Sequence, residues 1–145
     1  MTQSNARGTK NSTAPTPVQE DSEFFSDATT TIARLKALAT QFVEERNWQS
    51  YHTPKNLAMS VAIEAAELME CFQWLAPEES YRVTEKVDTR EAVADEIADV
   101  FCYLLNLCDE LKIDLAAELV RKMAKNAIKY PAPVSNHAKG RCDSP

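Results

Sequence analysis

Glycine occurs only twice in 145 residues, and the long middle of the chain is almost free of it. Turns built on glycine at positive φ, the currency of hairpin-rich folds, are therefore scarce. Cysteine is sparse too: Cys71, Cys102, Cys108 and Cys142, with no C-x-x-C pair among them. Histidine is limited to His52 and His137, so neither spacing nor ligand supply suits a structural zinc site. Reduced core cysteines of a cytoplasmic protein are the simplest account. No run of about 20 apolar residues is present, as a membrane-spanning helix would need. The N-terminus lacks the apolar core of a secretory signal; the acidic Glu20, Asp21 and Glu23 also argue against an organelle-targeting role for Arg7 and Lys10. Positive charge is in deficit: 16 Lys and Arg stand against 22 Asp and Glu, giving a net charge of −6. That balance argues against a general binder of nucleic acid polymers or anionic membranes, though it leaves room for a local basic pocket.

Ala, Leu, Glu and Lys dominate the middle section, which points to an all-α domain. Its length suits one domain, and 44% hydrophobic residues is ordinary for a globular chain. Residues 1–23 are polar and aperiodic and are expected to be a disordered tail; residues 24–131 form the expected domain, and residues 132–145 a second disordered tail. Four helices are expected. The first starts at Ser26 or Asp27 as cap and stops near Arg46 or Asn47. The second starts at the Thr53–Pro54 cap signal and runs to about Trp74. Pro77, Glu78 and Glu79 mark a break, with a short helical turn around Ser80 to Thr84. The third runs from Asp88 or Thr89 to about Leu111. Asp114 caps the fourth, which runs to Lys129 before Pro131 and Pro133 end it. In the third helix VFCYLLNLC is apolar nearly all round, more than a lone domain of this size can bury, so packing against a second subunit is expected.

The chain is organised around two acidic motifs on neighbouring helices. Glu64 and Glu67 lie three apart in EAAELMECFQW, and Glu96 and Asp99 lie three apart in DEIADVFCYLL. Residues three apart on a helix sit about 60° from one another on one face. The first pair shares its side with Leu57, Val61, Leu68 and Cys71, the second with Val93, Val100, Tyr103 and Leu107. Both pairs therefore lie in line with the apolar stripes that face the core. Four inward carboxylates repel each other and are costly to desolvate. A hard divalent cation such as Mg²⁺ relieves both problems, because it takes oxygen ligands and leaves room for phosphate oxygens and water. A single E-x-x-E would mean only a solvated face; two in register with apolar positions mean more.

Other residues carry two readings each. Lys122, Asn126 and Tyr130 share a side of the fourth helix, where cations either complement the macrodipole or hold phosphate oxygens. Trp48 and Trp74 flank the second helix, as packing plugs or as flat faces for a planar base. His52 reads as a turn or surface residue, Glu44 and Glu45 as solvated, and Glu70 as a surface neighbour of the acidic cluster.

The run FVEERNWQSYHTPKNLAMSVAIEAAELMECFQW, with ADEIADVFCYLL and KMAKNAIKYP after it, resembles the MazG-like all-α nucleotide pyrophosphohydrolases, and within them the dCTP pyrophosphatase branch. The resemblance covers about Phe42 to Pro131 and rests on the paired E-x-x-E and E-x-x-D motifs, with RNW, FQW and N-x-x-x-Y-P pointing to the branch. It implies a four-helix protomer that assembles as a homotetramer with sites at subunit contacts. It implies Mg²⁺ bound by Glu64, Glu67, Glu96 and Asp99, with Glu64 or Glu67 handling the attacking water. Trp48 and Trp74 would line the base pocket, Tyr103 would meet the sugar or phosphate side, and Lys122, Asn126 and Tyr130 would meet the triphosphate. The expected reaction is hydrolysis of dCTP, or a modified dCTP, to dCMP and pyrophosphate in nucleotide-pool sanitation. A pyrophosphohydrolase of another base, such as dUTP, or of broad range stands as the alternative, as does a non-catalytic helical oligomer that binds cations. Relatives can carry a histidine where this chain has Ala39, which bears on base or sugar recognition.

Overall fold

The computed structural model describes residues 25–132; both expected tails lie outside that range, but for Ala132, the first residue of the second. The chain divides into two units, Met1–Thr31 and Ile32–Pro145. Among the described residues there is no strand, and every regular element is helical: α1 Ile32–Glu45, α2 Pro54–Glu70, α3 Pro77–Ser80, α4 Val87–Glu110 and α5 Leu115–Lys129, with a 3-10 turn at Gln49–Tyr51. No helix among them is long and apolar enough to cross a membrane.

Three boundaries differ from the sequence expectation, each for a local reason. Ser26 and Asp27 do not start α1. The Ser26 carbonyl accepts from the N–H groups of Thr29 and Thr30, and the Ser26 N–H donates to Thr30 Oγ1 at 3.0 Å. Side-chain bonding of this kind competes with a helix, and three consecutive threonines are poor helix formers. At its far end α2 stops at Glu70 instead of Trp74. The N–H groups of Phe72 and Gln73 both turn back to the Met69 carbonyl, at 3.0 and 2.9 Å, so the last residues wind into tight turns. The third difference is α3, an added helical turn over Pro77–Ser80 where a break was expected; the turn expected at Ser80 to Thr84 follows it, with the Arg82 N–H on the Glu79 carbonyl at 2.9 Å. Pro77 is the first helical residue after an extended Ala76, and the Ala76 N–H donates to the Glu79 carboxylate at 2.9 Å. This is the same proline-at-start device that opens α2, where Thr53 Oγ1 accepts from the Asn56 N–H at 3.3 Å.

With no glycine at hand, two helices end on other residues held in the left-handed region. Asn47 has φ 55° and Lys112 has φ 54°. Around Asn47, Trp48 N–H bonds the Val43 carbonyl and Asn47 N–H bonds that of Glu44; around Lys112, Ile113 N–H bonds Cys108 and Lys112 N–H bonds Asp109. Both are Schellman closures. The second is tied to α1, since Lys36 Nζ donates to the Ile113 carbonyl at 2.8 Å. Asp114 then caps α5 as expected, accepting from the Ala117 N–H at 3.0 Å.

Packing centres on α4, which packs most against α2 and more lightly against α1. The buried apolar residues are Ala39 and Val43 on α1, Leu57 on α2, and Val93, Leu105 and Cys108 on α4. No residue from Val100 to Asp109 is exposed, so the apolar run of α4 is covered to some degree on every side. By contrast α5 buries nothing: Leu119, Val120, Met123 and Ile128 are all more than half exposed. Met59 and Ile63 on α2 and Ile97 on α4 are likewise open.

Candidate metal centre

Glu64 comes from the middle of α2, and Glu96 and Asp99 from one turn of α4, the two helices that pack most closely. That packing brings one carboxylate oxygen of each within 4.8 Å of the other two. Glu64 and Glu96 are half-buried, and Asp99 is exposed. Glu67 stands outside the converging three and is exposed, though its charge bears on both Glu64 and Glu96. The four acids are thus not all turned into the interior, as the apolar stripes implied. A seam between two helices covers its inner pair and leaves the outer pair at the rim.

The electrostatics are those of an uncompensated site. Loss of solvent, then the charges of Glu67, Asp99 and Glu96, push the Glu64 carboxyl above the usual range. Glu96 is pushed the same way by loss of solvent and by Glu67, Asp99, Asp95 and Glu70. Glu96 Oε2 is buried, and no hydrogen-bond donor meets it. A buried acceptor left without a donor is costly, and an oxygen-binding cation would satisfy it. Three carboxylates, with no nitrogen or sulfur ligand among them, form a donor set for a hard ion.

Tyr103 lies one turn beyond Asp99 and is half-buried. Burial, then the charges of Glu64 and Asp99 and the nearby Cys102 thiol, raise its phenol above the ordinary value; a hydrogen bond from Ser60, one turn before Glu64, offsets part of this. His52 is half-buried too, its ring centroid 6.4 Å from that of Tyr103. It closes the 3-10 turn, as its turn reading had it, and also borders Tyr103; Ser60 escaped the sequence reading. The signal for both was proximity alone, which spacing along one helix does not carry.

The remaining candidates stand on α5 and on the segments that flank α2. Trp48 is 45% exposed and meets Phe42 edge-on, with centroids 6.1 Å apart, while the Arg46 guanidinium covers the Phe42 ring at 3.5 Å. Trp74 follows α2 in the turns and is 87% exposed. Lys122 is exposed and Asn126 half-buried on α5. Tyr130 is the C-cap, with φ −127° and ψ 73°, so it leaves the helical repeat that aligned it with the other two. Glu70 is exposed at the last turn of α2 and adds charge toward Glu96. Of the cysteines, Cys71, Cys102 and Cys108 are free thiols, and Cys142 lies outside the described residues.

Residues 59–141 match the model of the MazG-like family. The chain is 32% identical over 105 residues to dCTP pyrophosphatase 1 of Bos taurus, covering 72% of this chain and 62% of that protein. To dCTP pyrophosphatase 1 of Homo sapiens it is 33% identical over 102 residues, covering 70% of this chain and 60% of that protein. It thus spans somewhat under two thirds of the length of these curated relatives. Among solved structures it is similar to a pyrophosphatase from Archaeoglobus fulgidus, with a TM-score of 0.66 and 42% identity over 74% of this chain and 99% of that one.

Proposed function

The chain belongs to the MazG-like family, and from that premise we propose that it is a nucleoside triphosphate pyrophosphohydrolase acting on dCTP or a modified dCTP. The observation that carries this is the convergence of Glu64, Glu96 and Asp99 around a buried, unpartnered Glu96 oxygen. Its relatives of that name support the choice of substrate. Glu64, Glu96 and Asp99, with Glu67 at their edge, would hold Mg²⁺, which would supply positive charge to phosphate oxygens and make the scissile linkage more electrophilic.

The chain's own residues do the rest. Glu67, a carboxylate at the rim of the site, or Glu64 within it, orients the attacking water and takes its proton. The water oxygen bonds to the α-phosphorus, the bond from that phosphorus to the bridging oxygen breaks, and pyrophosphate leaves, with dCMP as the other product. Lys122 stabilises charge on the phosphate oxygens, while Asn126 and Tyr130 hydrogen-bond them. Tyr103 meets the sugar or phosphate side, and Trp48 and Trp74 offer stacking faces to the base. Lys122, Asn126 and Tyr130 reach a site only in an assembly, and the open apolar residues Leu119 and Met123 of α5 support a homotetramer. The role is removal of unwanted nucleotides from the pool.

Incubation with dCTP and Mg²⁺, with products separated by anion exchange, tests this reading. Release of dCMP and pyrophosphate supports it. Release of single phosphate refutes the bond assignment, and no turnover across dCTP, dUTP and the common nucleotides refutes the enzyme.

A further inference from the structure

The end of α1 carries a cluster that the carboxylate triad does not account for. Arg46, the residue that follows α1, folds back over the helix. Its guanidinium lies 3.5 Å from the centroid of the Phe42 ring, and Nη1 donates to the Phe42 carbonyl at 2.9 Å. A looser contact of 3.5 Å links the same nitrogen to the Glu45 carboxylate. The arginine is thus held by the ring and the backbone of one residue together, and its side chain is 32% exposed. Trp48 meets that same Phe42 ring edge-on, with centroids 6.1 Å apart and planes at 73°.

The backbone aims Trp48 before any side chain acts. Asn47, at φ 55°, reverses the chain, and the Trp48 N–H closes on the Val43 carbonyl at 3.0 Å. In a Schellman closure the residue at that position turns back onto an apolar side chain in the last turns of its helix. Here the apolar side chain is Phe42, and Phe42 is itself covered by Arg46. An edge-on contact covers at most one face of the indole, and Trp48 stays 45% exposed. Trp74, 87% exposed, has no ring contact of this kind among the described residues. A cation just past a helix C-terminus also complements the macrodipole. That role needs neither a close approach to the Phe42 ring nor a tryptophan on its other flank.

We propose that Arg46 is a positioning residue: by clamping the Phe42 ring it holds the Trp48 indole in one orientation, with an open face set in advance for the planar ring of a nucleotide. The inference rests on the reading of Trp48 as a stacking face. A side chain free to turn loses that freedom when a ligand settles on it, and an indole already braced loses little. The clamp therefore acts on nucleotide affinity and not on the chemical step at the carboxylates. Arg46 itself touches no nucleotide. Arginine suits the place because its flat guanidinium lies on a ring while its N–H groups bond a carbonyl, a pairing that the compact ammonium of lysine makes less well.

The first readout needs no nucleotide. The chain has two tryptophans, so the full chain carrying Trp74→Phe reports Trp48 alone, by acrylamide quenching and the decay of fluorescence anisotropy. Arg46→Met, of similar length, and Phe42→Leu each raise the quenching constant by about twofold and add a fast component to the decay, while Arg46→Lys falls between the wild type and Arg46→Met. The second readout is steady-state hydrolysis of dCTP in Mg²⁺ by the chain with both tryptophans. There Arg46→Met raises KM by about fivefold or more and keeps kcat within about twofold, and in a Trp48→Leu background it leaves KM within about twofold. An indole as restrained in both variants as in the wild type overturns the proposal. So does a KM effect that persists in full without Trp48, or a loss confined to kcat. If the indole loosens as expected but the wild type releases no pyrophosphate from dCTP, the hydrolase reading fails and the clamp stands.

Discussion

The seam between α2 and α4 and the surface of α5 use similar residues to opposite ends. Along the seam, Leu57 and Leu105 are buried, and the half-buried Glu64 and Glu96 converge with the exposed Asp99. On α5, Leu119 and Met123 are as apolar but stay open, and the cations near them face solvent. The seam has its partner within the protomer, so its charges already feel each other. Among the described residues α5 finds no such cover. On the proposed reading the centre would divide into a metal-holding half that one chain builds alone and a phosphate-holding half that assembly completes.

The sharpest test of this division is at the seam. Glu64→Gln should cost on the order of 10³-fold in kcat/KM for dCTP, measured by pyrophosphate release, and remove most of the Mg²⁺-dependent rise in melting temperature. An unchanged Mg²⁺ response would show that the seam does not bind the ion. Next in size is the opposite half. Leu119→Asp with Met123→Glu should reduce the assembly to protomers by light scattering and lower kcat/KM by about 10²-fold, while Mg²⁺ stabilisation of the protomer persists. If protomers kept full activity, α5 would play no part in the site.

A pH series separates the halves more gently. Glu64 and Glu96 titrate above the ordinary 4.5. For an acid raised in the folded state, the contribution to stability is fully present below the unfolded value and lost as pH rises through the folded one. In EDTA the melting temperature should therefore carry a decline above pH 4.5 that the double variant Glu64→Gln, Glu96→Gln lacks, and saturating Mg²⁺ should shrink it. The decline should survive the α5 variants unchanged. Smallest is Lys112→Gly, at φ 54° in the closure after α4. It should raise stability by about 1 kcal/mol in denaturant melts and leave turnover alone.

Much of this was open to reading from local pattern. Thr53–Pro54 and Asp114 gave two helix starts, and three of the four paired acids do meet. Glu67 was aligned with them by spacing but stands apart, because a face 60° wide does not say which side of it a neighbouring helix covers. Pro77 carried the same start signal as Pro54, masked by the break it also makes. His52 and Ser60 border Tyr103 from elements distant in sequence. Asn106 is a lone amide in an apolar run, and it lines a cavity with residues of α1 and the 3-10 turn, which spacing along α4 does not show.

Helical spacing, caps and the scarcity of glycine are set by neighbours within a few residues, so the chain alone determined an all-α fold and put its acids on two facing stripes. The distances between those stripes, the unpartnered oxygen of Glu96 and the cavity at Asn106 belong to the tertiary structure. They depend on how far α2 and α1 slide along α4, and that is decided by packing between residues far apart in the chain.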